Sequence, residues 1–165
     1  MLVLKDGKLI AKADWSPFTS EYPHVSHSLC KSITSMAVGI AVKEKYISTD
    51  DKISEIFADE MPTVPNKFMK EITVRHLLTM SSGVKFNEAG MLMSSNCVKS
   101  YLSSDVFFEP GTDFHYNSMN SYMLSAALCR RTGLSLSEYL SRRLFAPMGI
   151  NGFHSETCPK KNKKG

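Results

Sequence analysis

The sequence predicts an α+β chain that is mainly helical and opens with a β-hairpin. Three observations carry that prediction. Two short β-compatible runs flank Asp6-Gly7, a helical pattern apolar on most sides spans residues 28–45, and several capped helical segments follow as far as residue 145. With 165 residues, 42% hydrophobic and 22% charged, the chain suits one domain with a real core rather than a disordered or fibrous one.

Residues 2–4 and 8–13 surround Asp6-Gly7, the strongest compact hairpin signal in the chain, and read as an edge hairpin occupying residues 1–14. Residues 15–25, with Pro17 and Pro23, form an extended loop. In the helix at 28–45, Leu29, Ile33, Met36, Ala37 and Ile40 make one apolar face, which Val38, Ala41 and Val42 widen beyond a stripe. A helix apolar on most sides is expected at the centre of a domain. A short helix is expected at 49–58, capped by Thr49 or Asp50. Another runs over 73–80, capped by Thr73 and ended by Ser81-Ser82-Gly83. Residues 94–103 form a further helix. Glu109-Pro110-Gly111-Thr112 makes a turn, residues 114–116 are extended, and 118–131 are helical until Gly133. The last helix covers 136–145, where Ser135 and Glu138 make a capping box. Together residues 1–155 are read as a single domain, helical over 28–150, with 156–165 as a basic disordered tail.

The formal net charge is +4, but Lys160, Lys161, Lys163 and Lys164 belong to that tail. Without them the bases equal the 16 acids, so no nucleic-acid partner is expected. Cys30, Cys97, Cys129 and Cys158 form no C-x-x-C pair, which argues against a zinc knuckle or a dithiol redox site. Lys5, Asp6 and Lys8 interrupt the N-terminus as a signal peptide, and no stretch is long and uncharged enough for a transmembrane segment. A cytoplasmic location is the resulting expectation, with room for an export signal upstream. The glycines form neither G-x-G-x-x-G nor a P-loop, so nucleotide binding has no support.

The sharpest chemical candidate is Ser28-Leu29-Cys30-Lys31. Residues three apart on a helix face the same way, with Cβ atoms about 5 to 6 Å apart. Lys31 can therefore reach the Ser28 hydroxyl, and a serine nucleophile needs such a neighbouring base. The start of the helix also offers unpaired N–H groups to a developing oxyanion. Alone, the pattern is equally readable as a helix cap at Ser28. Ser82-Gly83-Val84-Lys85 repeats the spacing but reads as a stop signal and loop. Tyr116-Asn117-Ser118 stands where an extended segment enters a helix, a good place to project polar groups into a cleft. A tyrosine near an ammonium is held partly as phenolate and can relay a proton; taken alone, the element reads rather as a tyrosine packed at a helix entrance, with Asn117 or Ser118 as cap. Cys30 points about 200° around the helix from Ser28 and is expected in the core. His24 and His27 lack further ligands for a metal site, and His76 and His115 read as structural, His115 being the better placed to line a cleft.

Several motifs then occur in order: Ser28 to Lys31; Ile72-Thr73-Val74-Arg75-His76-Leu77-Leu78-Thr79-Met80-Ser81-Ser82-Gly83; Glu109-Pro110-Gly111-Thr112; Tyr116-Asn117-Ser118; and Leu144-Phe145-Ala146-Pro147-Met148-Gly149-Ile150. Over residues 3–150 their order and spacing resemble class C β-lactamases, D-alanyl-D-alanine carboxypeptidases, related esterases and 6-aminohexanoate-dimer hydrolases. The resemblance implies the helical subdomain of the β-lactamase/transpeptidase-like fold. It also implies acyl transfer from a small-molecule amide or ester through an acyl-serine intermediate, with no metal and no cofactor. Ser28 would be the nucleophile, Lys31 its base and Tyr116 the proton shuttle, with His115, Asn117 and Ser118 at the substrate-binding edge. Ser118 stands where the β-lactamases of this type have asparagine, a departure that points away from β-lactams and toward amides and esters.

A Lys-Thr-Gly or His-x-Gly motif, carried by relatives on a C-terminal strand, is absent after Tyr116. The expectation is a truncated member with the C-terminal sheet strands missing and the second oxyanion donor lost. One such donor is worth roughly 2.7–4 kcal/mol of transition-state stabilisation. An apolar face left open in this way would favour self-association. The alternative is a non-catalytic remnant or interaction module that keeps the fold without turnover.

Overall fold

A computed structural model describes residues 1–85 and 94–153 of the chain. The basic tail expected at 156–165 lies outside them.

Strands β1 (Leu2–Lys5) and β2 (Lys8–Lys12) pair antiparallel, with Leu4 opposite Leu9. Asp6 and Gly7 take φ of 50° and 72°, the two positive values that let a two-residue turn follow the right-handed twist of the strands. Every residue of both strands is exposed.

The chain then crosses a loop to a 3-10 turn at His27–Leu29, which runs into α1 (Cys30–Lys43). Thr34, Ala37, Val38 and Ala41 are buried, whereas Leu29 is 66% exposed and Met36 49%. The expected central helix is thus buried on one side only. Its apolar residues wrap most of the way round, but those that are buried, spaced three and four apart from Thr34 to Ala41, share a single face. Cys30, expected in the core, is likewise exposed.

The helix expected at 49–58 is shortened to α2 (Ile53–Ile56) and a 3-10 turn at Ala58–Glu60. Other bonds, most of them to residues 73–75, claim the residues that would have started it. Arg75 donates to Thr49 and Asp50, each at 3.0 Å, Asp51 accepts from Ser48 N–H at 3.0 Å, and Lys52 pairs with Thr73 in an isolated bridge. Helix α3 (Val74–Leu78) begins at the expected cap: Thr73 Oγ1 accepts from His76 N–H at 3.4 Å. His76 Nδ1 accepts from Thr73 N–H at 3.2 Å, so a histidine fills the return arm usually taken by Glu or Gln.

Helix α4 (Cys97–Leu102) starts after Asn96, whose side chain accepts from Lys99 N–H at 3.0 Å. Helix α5 (Ser118–Thr132) ends at Gly133, φ 73°. Helix α6 (Leu136–Leu140) opens with the expected Ser135–Glu138 capping box and continues into a π-helical turn at Ser141–Phe145. Helix α5 packs against α1, α2, α3, α4 and α6. Around it Leu77, Leu102, Met123, Ala127 and Leu128 are fully buried, each large side chain contributing about 1.5–3 kcal/mol by leaving water. At the far end Arg130 donates to Ile56 C=O at 3.1 Å and pairs with Asp59 and Glu60, tying α5 to the turn after α2.

Candidate active site

Ser28 lies in the 3-10 turn that feeds α1, and the helical spacing places Lys31 on its side of the helix. Lys31 Nζ donates to Ser28 Oγ at 3.1 Å. Tyr116, 88 residues further along, donates from its hydroxyl to the same oxygen at 2.9 Å. The ammonium also stands 5.2 Å from the centroid of the Tyr116 ring, within the range of a cation–π attraction. The hydrogen bond with Lys31 is the leading cause that holds the Tyr116 phenol below its ordinary value of 10.0; the hydroxyls of Ser28 and Ser118 act in the same direction. Hydroxyl protons rotate, so Ser28 and Tyr116 can exchange donor and acceptor roles.

The site is open. Ser28 is exposed and Tyr116 is 50% exposed. Charges here feel a high dielectric, which weakens each interaction relative to a closed cleft.

The three residues named at the substrate edge are placed differently from one another. Ser118 is half-buried at the first turn of α5, two residues after Tyr116 and close enough to help hold its phenol below the ordinary value. His115 is exposed, its ring edge-on to Phe107 with centroids 6.1 Å apart. Asn117 is turned inward: 1% exposed, it donates to Val84 C=O at 3.0 Å and accepts from Met119 N–H at 2.8 Å. Both ends of that amide are used within the protein, so Asn117 caps α5 and anchors the loop before it. Ser82, in the second serine–lysine copy, is 1% exposed, and its hydroxyl donates to Asn120 at 3.0 Å. Lys85 lies over the Phe107 ring at 5.8 Å, so these two do not form a reactive pair. The loop's turn depends on Gly83, φ 69°, where a Cβ would come within 2.7 Å of Phe108 C=O.

His24 Nε2 bonds to Thr19 C=O at 2.9 Å. Among the described residues no group of His, Cys, Asp or Glu is arranged to hold a metal ion, and no helix is long and apolar enough to cross a membrane. In the sequence Asn120 is, like Asn117, an amide near Tyr116 without the spacing of a site asparagine, and Tyr101 carries no signal; both are buried, and Asn120 bonds Ser82. Nothing in their local pattern marks them, because their partners are 19 and 38 residues from Asn120 in the chain.

The chain is 26% identical over 167 residues to a D-aminopeptidase of Gluconobacter oxydans, spanning 90% of this chain but 30% of that protein. Among solved structures, it is similar to a Bacillus anthracis protein assigned as a 6-aminohexanoate-dimer hydrolase. The TM-score is 0.70 at 21% identity, covering 87% of this chain and 42% of that one. It also resembles a D-stereospecific amidohydrolase from Streptomyces, with a TM-score of 0.62 at 19% identity over 74% and 41% of the two chains. These structural likenesses establish the β-lactamase-like fold, of which the N-terminal hairpin and helical region are present here. The family model for beta-lactamases matches residues 1–164, and the chain belongs to that family.

Proposed function

We propose that this chain carries the nucleophile side of a serine hydrolase that transfers acyl groups from small-molecule amides or esters. The observation that carries the reading is the meeting at one oxygen, Ser28 Oγ, of Lys31 Nζ and the Tyr116 hydroxyl. Lys31 and Ser28 are local neighbours on one helix; Tyr116 is delivered by a distant segment, which a plain helix cap does not require.

In the proposed reaction Ser28 Oγ attacks the substrate carbonyl carbon, and its proton passes to Tyr116. The Lys31 ammonium favours the phenolate that makes this transfer feasible. Leu29 N–H and Cys30 N–H already donate to the Ser26 and His27 carbonyls, so the Ser28 N–H at the head of the turn is the amide proposed to face the developing oxyanion. Tyr116 then returns the proton to the departing amine or alcohol as the C–N or C–O bond breaks, leaving an acyl-serine. Water takes the serine's place in the second half, giving its proton to the same relay and releasing the acid. Ser118, beside the phenol, is proposed to contact the substrate, with His115 on the adjoining surface. Amides are the favoured class: the D-aminopeptidase and the amidohydrolase are both named for cleaving them.

Labelling with a fluorophosphonate or a tagged penicillin tests the reading. The intact chain is expected to label and Ser28→Ala is not; equal labelling of both would remove Ser28 as nucleophile. A second reading, a module that keeps the fold without turnover, draws on the exposure of Ser28 and Tyr116 to solvent. Ester or amide turnover by the monomeric chain, abolished in Ser28→Ala, would eliminate it.

A further inference from the structure

Asn120 lies on the first turn of α5, four residues after Tyr116, and its side chain is fully buried. Its Oδ1 accepts two hydrogen bonds, from Tyr101 OH at 2.8 Å and from Ser82 Oγ at 3.0 Å. Its Nδ2 faces Met80 Sδ at 3.6 Å. One amide thus joins three segments that are remote in sequence: the loop at 80–84, helix α4 and the start of α5. In a dry interior, two hydroxyl donors on one carbonyl oxygen hold the amide in a single orientation. Burial pushes the Tyr101 phenol well above its ordinary value, so it stays a donor throughout the working pH range.

The 80–84 loop also suspends Tyr116 from both sides. His115 N–H donates to Met80 C=O at 2.9 Å, and Asn117 Nδ2 donates to Val84 C=O at 3.0 Å. The Tyr116 ring itself is half exposed, so its place is governed by its flanking backbone more than by packing of the ring.

We infer that Asn120 is a positioning residue: by locking the 80–84 loop and Tyr101 to the first turn of α5, it keeps the Tyr116 hydroxyl within reach of Ser28. The inference rests on the proposed role of Tyr116 as proton carrier. Removing the Asn120 carbonyl leaves the Ser82 and Tyr101 hydroxyls buried without their acceptor. Recovering partners for them requires the loop to shift, and Tyr116 moves with the loop because both its neighbours are bonded to it. A misplacement of about 1 Å remote from the chemistry can slow a reaction about a hundredfold.

The test compares the full chain with Asn120→Leu and Asn120→Asp. The readouts are the rate of fluorophosphonate labelling and the ionisation of Tyr116 followed by ultraviolet difference spectra, with Tyr116→Phe identifying its signal. The expected result for Asn120→Leu is native helix content by circular dichroism, labelling slowed by about a hundredfold, and a Tyr116 phenol that titrates closer to 10.0. Asn120→Asp, which keeps an acceptor oxygen in place, is expected to restore both. Wild-type labelling and titration in Asn120→Leu would overturn the inference. Should that variant not fold, Tyr101→Phe carries the test, since it removes one hydroxyl and keeps the ring. It is expected to shift both readouts in the same direction by less, and an unchanged Tyr101→Phe overturns the inference. If the parent chain neither labels at Ser28 nor shows a lowered Tyr116 phenol, the hydrolase reading falls and the role of Asn120 with it. A normal parent with unchanged variants removes the role of Asn120 alone.

Discussion

The N-terminal hairpin and the helical cluster around α5 are built on opposite principles. In the hairpin the turn does the specifying: Asp6 and Gly7 adopt the left-handed region, the strands pair, and Leu4 and Leu9 remain 65% and 56% exposed. In the cluster local caps set only the helix ends, and packing does the rest: Tyr101, Leu102, Leu77 and Tyr139 are almost completely buried. A conformation can thus be chosen by two residues of turn without gaining much stability, because stability comes mainly from apolar area removed from water. Helix α1 spans both regimes, with one face packed against α5 and α6 and the other, at Met36, open, as is Leu29 in the turn before it. The catalytic candidates sit at that boundary.

Single substitutions in the two regions test the contrast. The largest effect is expected from Leu102→Ala, where a cavity in the cluster should lower stability by about 2–5 kcal/mol in urea unfolding. Next comes Asn117→Ala, which loses the cap of α5 and the tie to Val84. It should cost about 1–2 kcal/mol, and it should also slow labelling of Ser28 because Tyr116 precedes it. Smaller again is a pH effect at His76. Burial holds its folded pKa below 6.5, with Arg75 adding to the shift. The unfolded chain therefore binds the proton more readily, so this contribution is complete above 6.5 and is lost as pH falls through the lower folded value. Protonation would also take Nδ1 from Thr73 N–H. His76→Gln, which can keep the capping box without titrating, should flatten the fall in urea midpoint between neutral and mildly acidic solution. A slope identical to the parent's would assign it elsewhere. The smallest effect belongs to Leu4→Ala in the hairpin, expected within about 0.5 kcal/mol. A loss comparable to that of Leu102→Ala would show that the hairpin is packed in solution and would erase the contrast.

Much of the fold was legible because its punctuation is local. The Asp6-Gly7 turn, the caps at Thr73 and Ser135 and the stop at Gly133 each act within four residues of the element they bound. What failed was the helix over 49–58 and the burial of α1. The first lost its starting residues to Arg75 and Thr73, which no window of sequence around residue 50 contains. The second failed because apolar composition records what a helix is able to bury, while actual burial depends on which neighbours are beside it. At the site, Asn117 illustrates the same limit. Its position next to Tyr116 suggested a substrate contact, but the nearby Val84 carbonyl draws it inward.

The sequence by itself determined that a serine hydroxyl and a lysine ammonium share one side of a helix start, since a spacing of three leaves the backbone little choice. That a phenol 88 residues away closes on the same oxygen follows from how the segments pack, not from any spacing in the chain. The loop bonded to both neighbours of that phenol is itself held by buried amides at Asn117 and Asn120. Hydrogen bonds of this kind have no sequence period, because their partners are brought together by the packing of whole elements.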